Sequence, residues 1–163
     1  MFYASIITVS DKGSKGERTD ESGMLISEIL KENGYHINNY CIVPDEIEEI
    51  KRVLIDSCDN KKSDLVLTTG GTGFSPRDNT PEATMEVMTK NAPGIAEAIR
   101  SYSMGITKRA MLSRGASVIR NQSLIINLPG SPKAVREALE YILADLDHGL
   151  KILKSMEGEC GKK

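Results

Sequence analysis

The chain has 163 residues and a formal charge of −2. This length fits one compact domain, which buries roughly two thirds of the surface of the unfolded chain. Lysines and arginines are scattered among acidic residues, so no basic face is predicted and nucleic acid is not expected as a partner. Apolar runs stay well short of the roughly 20 residues that span a bilayer, so we expect no membrane partner and assign the protein to the cytoplasm.

The cysteines and histidines argue against a zinc site and against a catalytic triad. Cys41, Cys58 and Cys160 are widely spaced, with no Cys-x-x-Cys pair, and the only histidines are His36 and His148. We therefore expect reduced thiols and ordinary histidines.

Apolar runs alternate with helical patterns along the chain. The gaps between the runs carry the 3.6-residue spacing of amphipathic helices. Alternation of strand and helix is typical of βαβ crossovers around a parallel sheet. We predict a single three-layer α/β (αβα) domain around a mostly parallel sheet over residues 1–155, followed by a flexible tail over residues 156–163. The predicted strands cover residues 3–9, 35–43, 65–69 and 124–128.

Capping residues mark where the helices begin. Asp20 is predicted to cap a helix that ends at Gly34. Thr80, followed by Pro81, is predicted to cap a helix in the middle of the chain, and Ser131 is predicted to cap the last helix. The apolar stripe of the first of these helices is assigned to Met24, Leu25, Ile26, Ile29 and Leu30.

The most informative segment follows the third predicted strand, where Thr-Thr-Gly-Gly-Thr-Gly-Phe-Ser-Pro-Arg-Asp occupies residues 68–78. Glycine adopts positive φ without steric cost, so Gly70, Gly71 and Gly73 allow backbone N–H groups to turn toward an anion such as phosphate. The segment lacks the Gly-Lys-Ser/Thr ending of a Walker A sequence and the last glycine of the dinucleotide-binding pattern. It is therefore a phosphate-binding candidate outside the two common nucleotide fingerprints.

Charged residues lie in this loop and at the ends of the other predicted strands. Arg77 can form a fork to phosphate oxygens, and Asp78 can hold a divalent cation. Asp45 follows the second strand. If the strands are neighbours, Asp45 and Asp78 approach one site, where they repel each other unless a cation lies between them or one takes a proton. Magnesium bound to a nucleoside triphosphate would resolve this conflict, so the pattern favours phosphoryl or nucleotidyl transfer.

Several of these residues also have a purely structural interpretation. Asp11 is equally consistent with an Asx turn, and Asp45 taken alone is consistent with a helix N-cap. Arg114 is as consistent with a solvated surface cation as with a ligand-binding one. Capping of the last helix explains Ser131 but leaves Asn127 unexplained.

Six segments, in order along the chain, resemble the MogA/MoaB molybdenum-cofactor biosynthesis family. The amino-terminal domain of gephyrin shares this pattern. The match spans nearly the whole chain and is more specific than the glycine-rich loop alone. The six segments are residues 9–11, 20–23, 43–45, 68–84, 111–114 and 127–130.

The resemblance implies a molybdopterin adenylyltransferase that acts on molybdopterin and ATP with Mg²⁺. In that reaction the terminal phosphate of molybdopterin attacks the α-phosphorus of ATP and pyrophosphate leaves, so no protein nucleophile is required. The family also implies a homotrimer, although a larger assembly stays open, and a partner for molybdenum insertion that is either fused or a separate enzyme. The use of molybdenum or of tungsten stays open.

The same resemblance assigns roles to individual residues. Asp45 and Asp78 are implied to be the catalytic residues and the metal ligands. Asn79 and Ser131 depart from the pattern of many relatives, but neither change removes a proposed catalytic group. The residues implied to bind substrate or nucleotide are Ser10, Asp11, Gly70, Gly71, Thr72, Gly73, Ser75, Arg77, Thr80, Glu82, Ser113, Arg114, Asn127, Pro129, Gly130 and Ser131.

Two other functions stay open at this point. A non-catalytic molybdopterin-binding or pterin-binding accessory protein of the MoaB type would keep the fold and the site without transferring AMP. A flavodoxin-like electron carrier would fit the alternation of strands and helices. The chain has no Trp and few aromatic residues to sandwich a flavin, which argues against the electron carrier.

Overall fold

The computed structural model describes the backbone of residues 1–160 and the side chains of residues 1–155. The backbone of residues 156–160 of the predicted flexible tail belongs to the last helix, residues 161–163 lie outside the described residues, and the tail stays a prediction. The strands are β1 (Tyr3–Val9), β2 (His36–Val43), β3 (Leu65–Thr69), β4 (Lys90–Asn91), β5 (Ser117–Arg120) and β6 (Ser123–Leu128). The helices are α1 (Asp11–Ser14), α2 (Glu21–Glu32), α3 (Ile47–Ile55), α4 (Thr80–Val87), α5 (Gly94–Met104) and α6 (Pro132–Cys160).

The strands form one sheet in the order β2-β1-β3-β6-β5-β4. The first four are parallel to one another, β5 pairs antiparallel with β6, and β4 pairs antiparallel with β5 at the edge. The predicted three-layer α/β fold around a mostly parallel sheet is confirmed. β4 and β5 were not predicted, because they have only two and four residues and form no long apolar run.

Both faces of the sheet are buried at the central strands β1, β3 and β6, which explains why these strands are mainly apolar. The edge strand β2 is only partly buried and carries more polar residues. Leu65 and Leu67 of β3 point into a core that also contains apolar residues of α2 and α6. Val66, between them, points into a second core with residues of α3 and α4. This alternation along β3 places one helical layer on each side of the sheet.

Most predicted helix starts are confirmed, with two corrections. Asp20 caps α2, since the Gly23 N–H donates to its carboxylate at 3.0 Å. Met24 is 60% exposed, because it lies on the face of α2 opposite the buried stripe. Thr80 is the first residue of α4 and does not cap it, because its hydroxyl donates instead to the carbonyl oxygen of Gly70 at 3.0 Å. Ser131 caps α6, as predicted, by accepting from the N–H of Ala134.

The topology brings the predicted site segments to one edge. Because β2, β1, β3 and β6 are adjacent and parallel, their carboxyl ends meet there. Ser10, Gly70 and Pro129 directly follow β1, β3 and β6, and Asp45 lies two positions after the end of β2. Ligands bind outside the carboxyl ends of the strands in open sheets of this kind.

Within the described residues, no helix is long and apolar enough to cross a membrane.

Gly70 is the residue at this edge that tolerates substitution least. Its φ is +94°, and an added Cβ would overlap the carbonyl oxygen of Val9 in the neighbouring strand. We expect Gly70→Ala to lower the free energy of unfolding by at least about 2 kcal/mol. Chemical denaturation monitored by circular dichroism measures the change.

Gly149→Ala is the matched control, because Gly149 lies within α6 and an added Cβ there has no atom within 4 Å. That variant is expected to gain about 0.5–1 kcal/mol from the higher helix propensity of alanine. Equal stabilities for Gly70→Ala and the wild-type chain would contradict the described turn.

Candidate active site at the carboxyl edge of the sheet

A cavity of about 370 Å³ lies at the carboxyl edge, between the end of β1, the glycine-rich loop and the start of α2. Fourteen of the sixteen lining residues come from segments that follow or end β1, β2 and β3, or that begin α2. The other two follow β6. The predicted site residues on its wall are Ser10, Asp45, Gly70, Gly71, Asp78 and Gly130.

Two consecutive left-handed residues form the turn after β3. Gly70 has φ +94° and Gly71 has φ +67°. Thr80 holds this turn, since its hydroxyl donates to the Gly70 carbonyl and its N–H donates to the Gly71 carbonyl at 3.1 Å. The expectation of positive φ is confirmed for Gly70 and Gly71 and is wrong for Gly73. Thr80 contributes by fixing the backbone of the turn.

The carboxylate of Asp78 folds back onto the loop that carries it. It accepts the N–H of Ser75 at 3.0 Å through one oxygen, and the same oxygen lies 3.0 Å from where a Cβ of Gly73 would be. A backbone N–H that was predicted to face phosphate therefore faces an anionic oxygen of the protein itself. Asp78 reaches the cavity wall from this position.

Asp11 and Asp45 hold each other in a reciprocal arrangement. The Asp11 N–H donates to the Asp45 carboxylate at 2.9 Å, and the Asp45 N–H donates to the Asp11 carboxylate at 3.0 Å. The N-cap of α3 is Glu46, without a side-chain cap. The carboxylate of Asp45 is therefore used at the cavity and not for capping, and the Asx-turn interpretation of Asp11 does not account for its contacts.

The two carboxyls differ in electrostatic environment. Burial raises the pKa of Asp45, and the neighbouring charges of Asp11 and Asp78 raise it further, while the N–H donated by Asp11 partly offsets this. The guanidinium of Arg77 and the N–H donated by Asp45 lower the pKa of Asp11. Asp45 is therefore the carboxylate that a cation or a proton would stabilise most.

Arg77 is engaged by acids of the protein. Its Nε donates to Asp11 at 2.7 Å, and one terminal nitrogen donates both to Asp11 at 3.0 Å and to Glu46 at 2.8 Å. The predicted two-pronged contact of Arg77 is present, but it is made to the Asp11 carboxylate. Arg77 does not line the cavity. Its role as a phosphate ligand stays a prediction.

Arg114 ties the glycine-rich loop to α4. Its guanidinium contacts both carboxylate oxygens of Glu82 at 2.8 Å and donates to the carbonyl oxygens of Gly73 and Asp78, each at 2.8 Å. Its own N–H donates to the Thr72 carbonyl. These contacts exclude a freely solvated side chain and show that Arg114 and Glu82 position the loop.

Asn127 is a buried link between three segments. Its amide nitrogen donates to the hydroxyls of Thr68 and Thr84 at 3.0 and 2.9 Å, and its oxygen accepts the N–H of Ala116 at 3.0 Å. The residue is 4% exposed. It shapes the floor beneath the loop and does not reach the cavity wall.

The remaining predicted residues lie beside the cavity. The carbonyl of Pro129 accepts from the Thr69 hydroxyl at 2.6 Å, Ser131 caps α6, and the hydroxyl of Ser113 lies 3.4 Å from the Gly115 nitrogen, from which it accepts. None of Pro129, Ser131 and Ser113 lines the cavity.

The start of α2 forms part of the cavity wall through Asp20, Glu21 and Ser22, none of which was predicted as a site residue. Asp20 caps the helix and also accepts the Thr8 hydroxyl at 2.7 Å and the Tyr40 hydroxyl. Burial and the hydrogen bond to Asp20 raise the pKa of Tyr40 well above its ordinary value. The sequence signal for this part of the wall is the resemblance of residues 20–23 to the family. Asp20 was given only the role of a helix cap.

The wall carries four carboxylates and one cation. The acids are Asp20, Glu21, Asp45 and Asp78, and the cation is Arg18. Within the described residues, no group of three or more His, Cys, Asp or Glu side chains could hold a metal ion by itself. An anionic ligand would therefore need positive charge that the protein supplies only in part.

The fold and the cavity define an open α/β domain in which a left-handed glycine turn and the carboxylates of Asp45 and Asp78 lie on the wall of one cavity. Residues 5–148 match the family described as probable molybdopterin binding domain, and the chain belongs to this family. The resemblance to the MogA/MoaB family is confirmed.

Three similar proteins illustrate the relationship. Molybdopterin adenylyltransferase of Helicobacter pylori (strain J99) is 44% identical over 155 residues, which cover 93% of this chain and 87% of the relative. Gephyrin of Dictyostelium discoideum is 42% identical over 164 residues, covering 94% of this chain and 23% of that protein. The crystal structure of the molybdopterin biosynthesis enzyme MoaB from Thermus thermophilus matches with a TM-score of 0.90 at 46% identity, covering 95% of this chain and 98% of that one.

The raised pKa of Asp45 predicts that its charge opposes folding at neutral pH. Asp45→Asn removes the charge and keeps an oxygen that can accept the Asp11 N–H. We expect this variant to melt at a higher temperature than the wild-type chain at pH 7. The gap should shrink as the pH falls through the raised pKa, where the wild-type carboxyl takes up a proton in the folded state before it would in the unfolded state.

Asp11→Asn is the control with the opposite sign. Because the pKa of Asp11 is lowered, its charge stabilises the fold at pH values above the ordinary pKa of aspartate, so that variant should melt lower at pH 7. Calorimetry from pH 3 to pH 8 measures both series. A lower melting temperature for Asp45→Asn at pH 7 would contradict the assigned environment.

Proposed function

We propose that the chain is a molybdopterin adenylyltransferase, which transfers AMP from ATP to the terminal phosphate of molybdopterin and releases pyrophosphate. The observation that carries the proposal is the placement of Asp45 and Asp78 on one cavity with the left-handed turn of Gly70 and Gly71. The 44% identity to an adenylyltransferase over most of both chains supports it.

The reaction needs positioning and charge neutralisation more than it needs a protein nucleophile. An oxygen of the molybdopterin phosphate forms a bond to the α-phosphorus of ATP while the bond from that phosphorus to the pyrophosphate oxygen breaks. Both reactants are anions, so the protein must hold them together against their repulsion. The glycine turn offers close backbone approach, and the loop anchored by Arg114 keeps its shape as the ligands bind.

The paired carboxylates fit magnesium. The Asp45 carboxylate uses one oxygen for the Asp11 N–H, and the Asp78 carboxylate uses one for the Ser75 N–H, so each keeps an oxygen free of protein donors. Mg²⁺ is commonly bound through one or two carboxylates together with substrate phosphates and water. Asp45 and Asp78 would hold the ion, which when bound neutralises phosphate charge at the α-phosphorus and on the leaving pyrophosphate.

The acidity of the cavity favours an enzyme over a binding protein. Asp45 is partly buried beside two other acids, an arrangement that repels an anionic ligand unless a cation is also bound. A protein that only bound a phosphorylated pterin would bind it better without these charges. The alternative to exclude by experiment is thus an accessory protein that binds molybdopterin without transferring AMP.

Assembly, location and partner complete the proposal. We infer a homotrimer in the cytoplasm that passes its adenylylated product to a separate molybdenum-insertion enzyme. Exposed apolar side chains on α5 and the segment after it support self-association, since such surface is costly in water. These side chains are Tyr102, Met104, Ile106, Met111 and Leu112.

Sedimentation velocity should give three times the chain mass of 17.8 kDa, and a monomer at micromolar concentration would contradict the trimer.

Asp78→Asn tests the catalytic assignment. The substitution keeps the shape of the side chain and an oxygen that can accept the Ser75 N–H, but it removes the charge. We expect folding to be retained and the single-turnover rate of adenylylation, measured with ATP, magnesium and molybdopterin, to fall by about 10²–10³-fold or more.

Asp56→Asn is the matched control, because Asp56 is a surface carboxylate that does not line the cavity. It lies 3.8 Å from the Lys61 ammonium and accepts from the Asn60 amide at 2.9 Å through an oxygen that asparagine can keep. This variant should turn over at the wild-type rate. A wild-type rate in Asp78→Asn would exclude the assigned role of Asp78. Tight binding of molybdopterin by the wild-type chain without conversion would instead identify an accessory binding protein.

A further inference from the structure

Among the described residues, the cavity wall has one cation, Arg18, that forms no ion pair with an acid. The two arginines expected to bind phosphate are engaged, Arg77 by Asp11 and Glu46 and Arg114 by Glu82. Arg18 lines the cavity, and among the described residues it makes no ion pair or side-chain hydrogen bond. Its guanidinium therefore keeps its donors available for a ligand.

The chain segment around Arg18 contributes to the cavity wall. Residues 15–20 connect α1 to α2, and this connection contains the left-handed Gly16, with φ +73°. Thr19 and Asp20, which follow Arg18, are also on the cavity wall. Since Asp20 is fixed by the Gly23 N–H and the Thr8 hydroxyl, the end of the connection is anchored there.

The charge balance explains why this cation matters. Four carboxylates and one cation line the cavity. Among the described residues, neither the adjacent Glu17 nor the wall residues Asp20 and Glu21 form an ion pair with Arg18. An exposed arginine is usually only solvated. One that lines an acidic cavity without a carboxylate partner can instead form a bidentate contact to a phosphate group.

We propose that Arg18 binds a phosphate group of the substrates in this cavity. The inference rests on the proposed function, which supplies two sources of that chemistry, the polyphosphate of ATP and the terminal phosphate of molybdopterin. Arg18 is thereby a substrate-binding residue that complements the metal held by Asp45 and Asp78. Arg77 and Arg114 keep the loops in place.

The test compares Arg18→Gln with Lys15→Gln in the intact chain. Both variants remove one positive charge from the same connection, but Lys15 does not line the cavity. Binding of ATP with magnesium is measured by titration calorimetry, and binding of molybdopterin by anaerobic equilibrium filtration. We expect Arg18→Gln to weaken one of the two ligands about tenfold, and Lys15→Gln to change neither by more than about twofold.

The two ligands distinguish the source of the phosphate. A tenfold loss for ATP alone assigns Arg18 to the polyphosphate, and a loss for molybdopterin alone assigns it to the pterin phosphate. Arg18→Lys, which keeps the charge and loses the fork, should fall between the wild-type chain and Arg18→Gln. The affinity difference should also shrink at high ionic strength.

Equal affinities of Arg18→Gln and Lys15→Gln for both ligands would overturn the inference, as would a wild-type chain that binds neither. A different result would contradict the proposed function, namely a wild-type chain that binds ATP and molybdopterin but does not form the adenylylated product. In that case the contrast between the two variants still decides the role of Arg18. Circular dichroism spectra confirm that both variants are folded.

Discussion

The close approach of the turn after β3 to strand β1 is the constraint on which the site depends. Gly70 lies so near the backbone of Val9 that a side chain there has no room, and Gly71 follows in the same left-handed conformation. Thr80 then binds both glycine carbonyls from the first turn of α4. The turn, the parallel pair of strands and the helix start are therefore fixed together, and the cavity forms where they meet.

Electrostatics divides the charged residues at this edge into two groups. Arg77 and Arg114 pair with Asp11, Glu46 and Glu82 and hold the loops, while Asp45 and Asp78 remain directed to the cavity. Burial and the neighbouring charges of Asp11 and Asp78 raise the pKa of Asp45, so the charge of Asp45 is unfavourable in the folded chain. In the proposed function, a cation bound with an anionic substrate would relieve that repulsion, so the charge of Asp45 that opposes folding would favour the bound state.

Local signals explain how much of this could be predicted from the sequence. The bounds of β1 and β3, the Asp20 cap and the glycine turn were predictable because each depends on adjacent residues. The meeting of Asp45 and Asp78 followed from the rule that parallel strands end at one edge.

Other features depend on partners far apart in the chain. The contacts of Arg114 with Glu82 span 32 positions, and the amide of Asn127 reaches Thr68 across 59 positions. No local pattern distinguishes such links from ligand-binding residues. The edge strands β4 and β5 escaped prediction because they are too short to show a period, and Arg18 because a lone arginine in a charged connection has no distinctive neighbours.

Amide hydrogen exchange with and without ATP and magnesium tests most directly whether the carboxyl edge is the functional site. A larger cleft at the opposite end of the sheet, lined by Lys62, Asp64 and Asn121 among others, provides the internal comparison. With ATP and magnesium present, we expect slower amide exchange in peptides that cover residues 10–22 and 70–78. We expect unchanged exchange in peptides that cover residues 61–64 and 121–123. Protection at the opposite cleft, or no protection anywhere at saturating ATP, would contradict it.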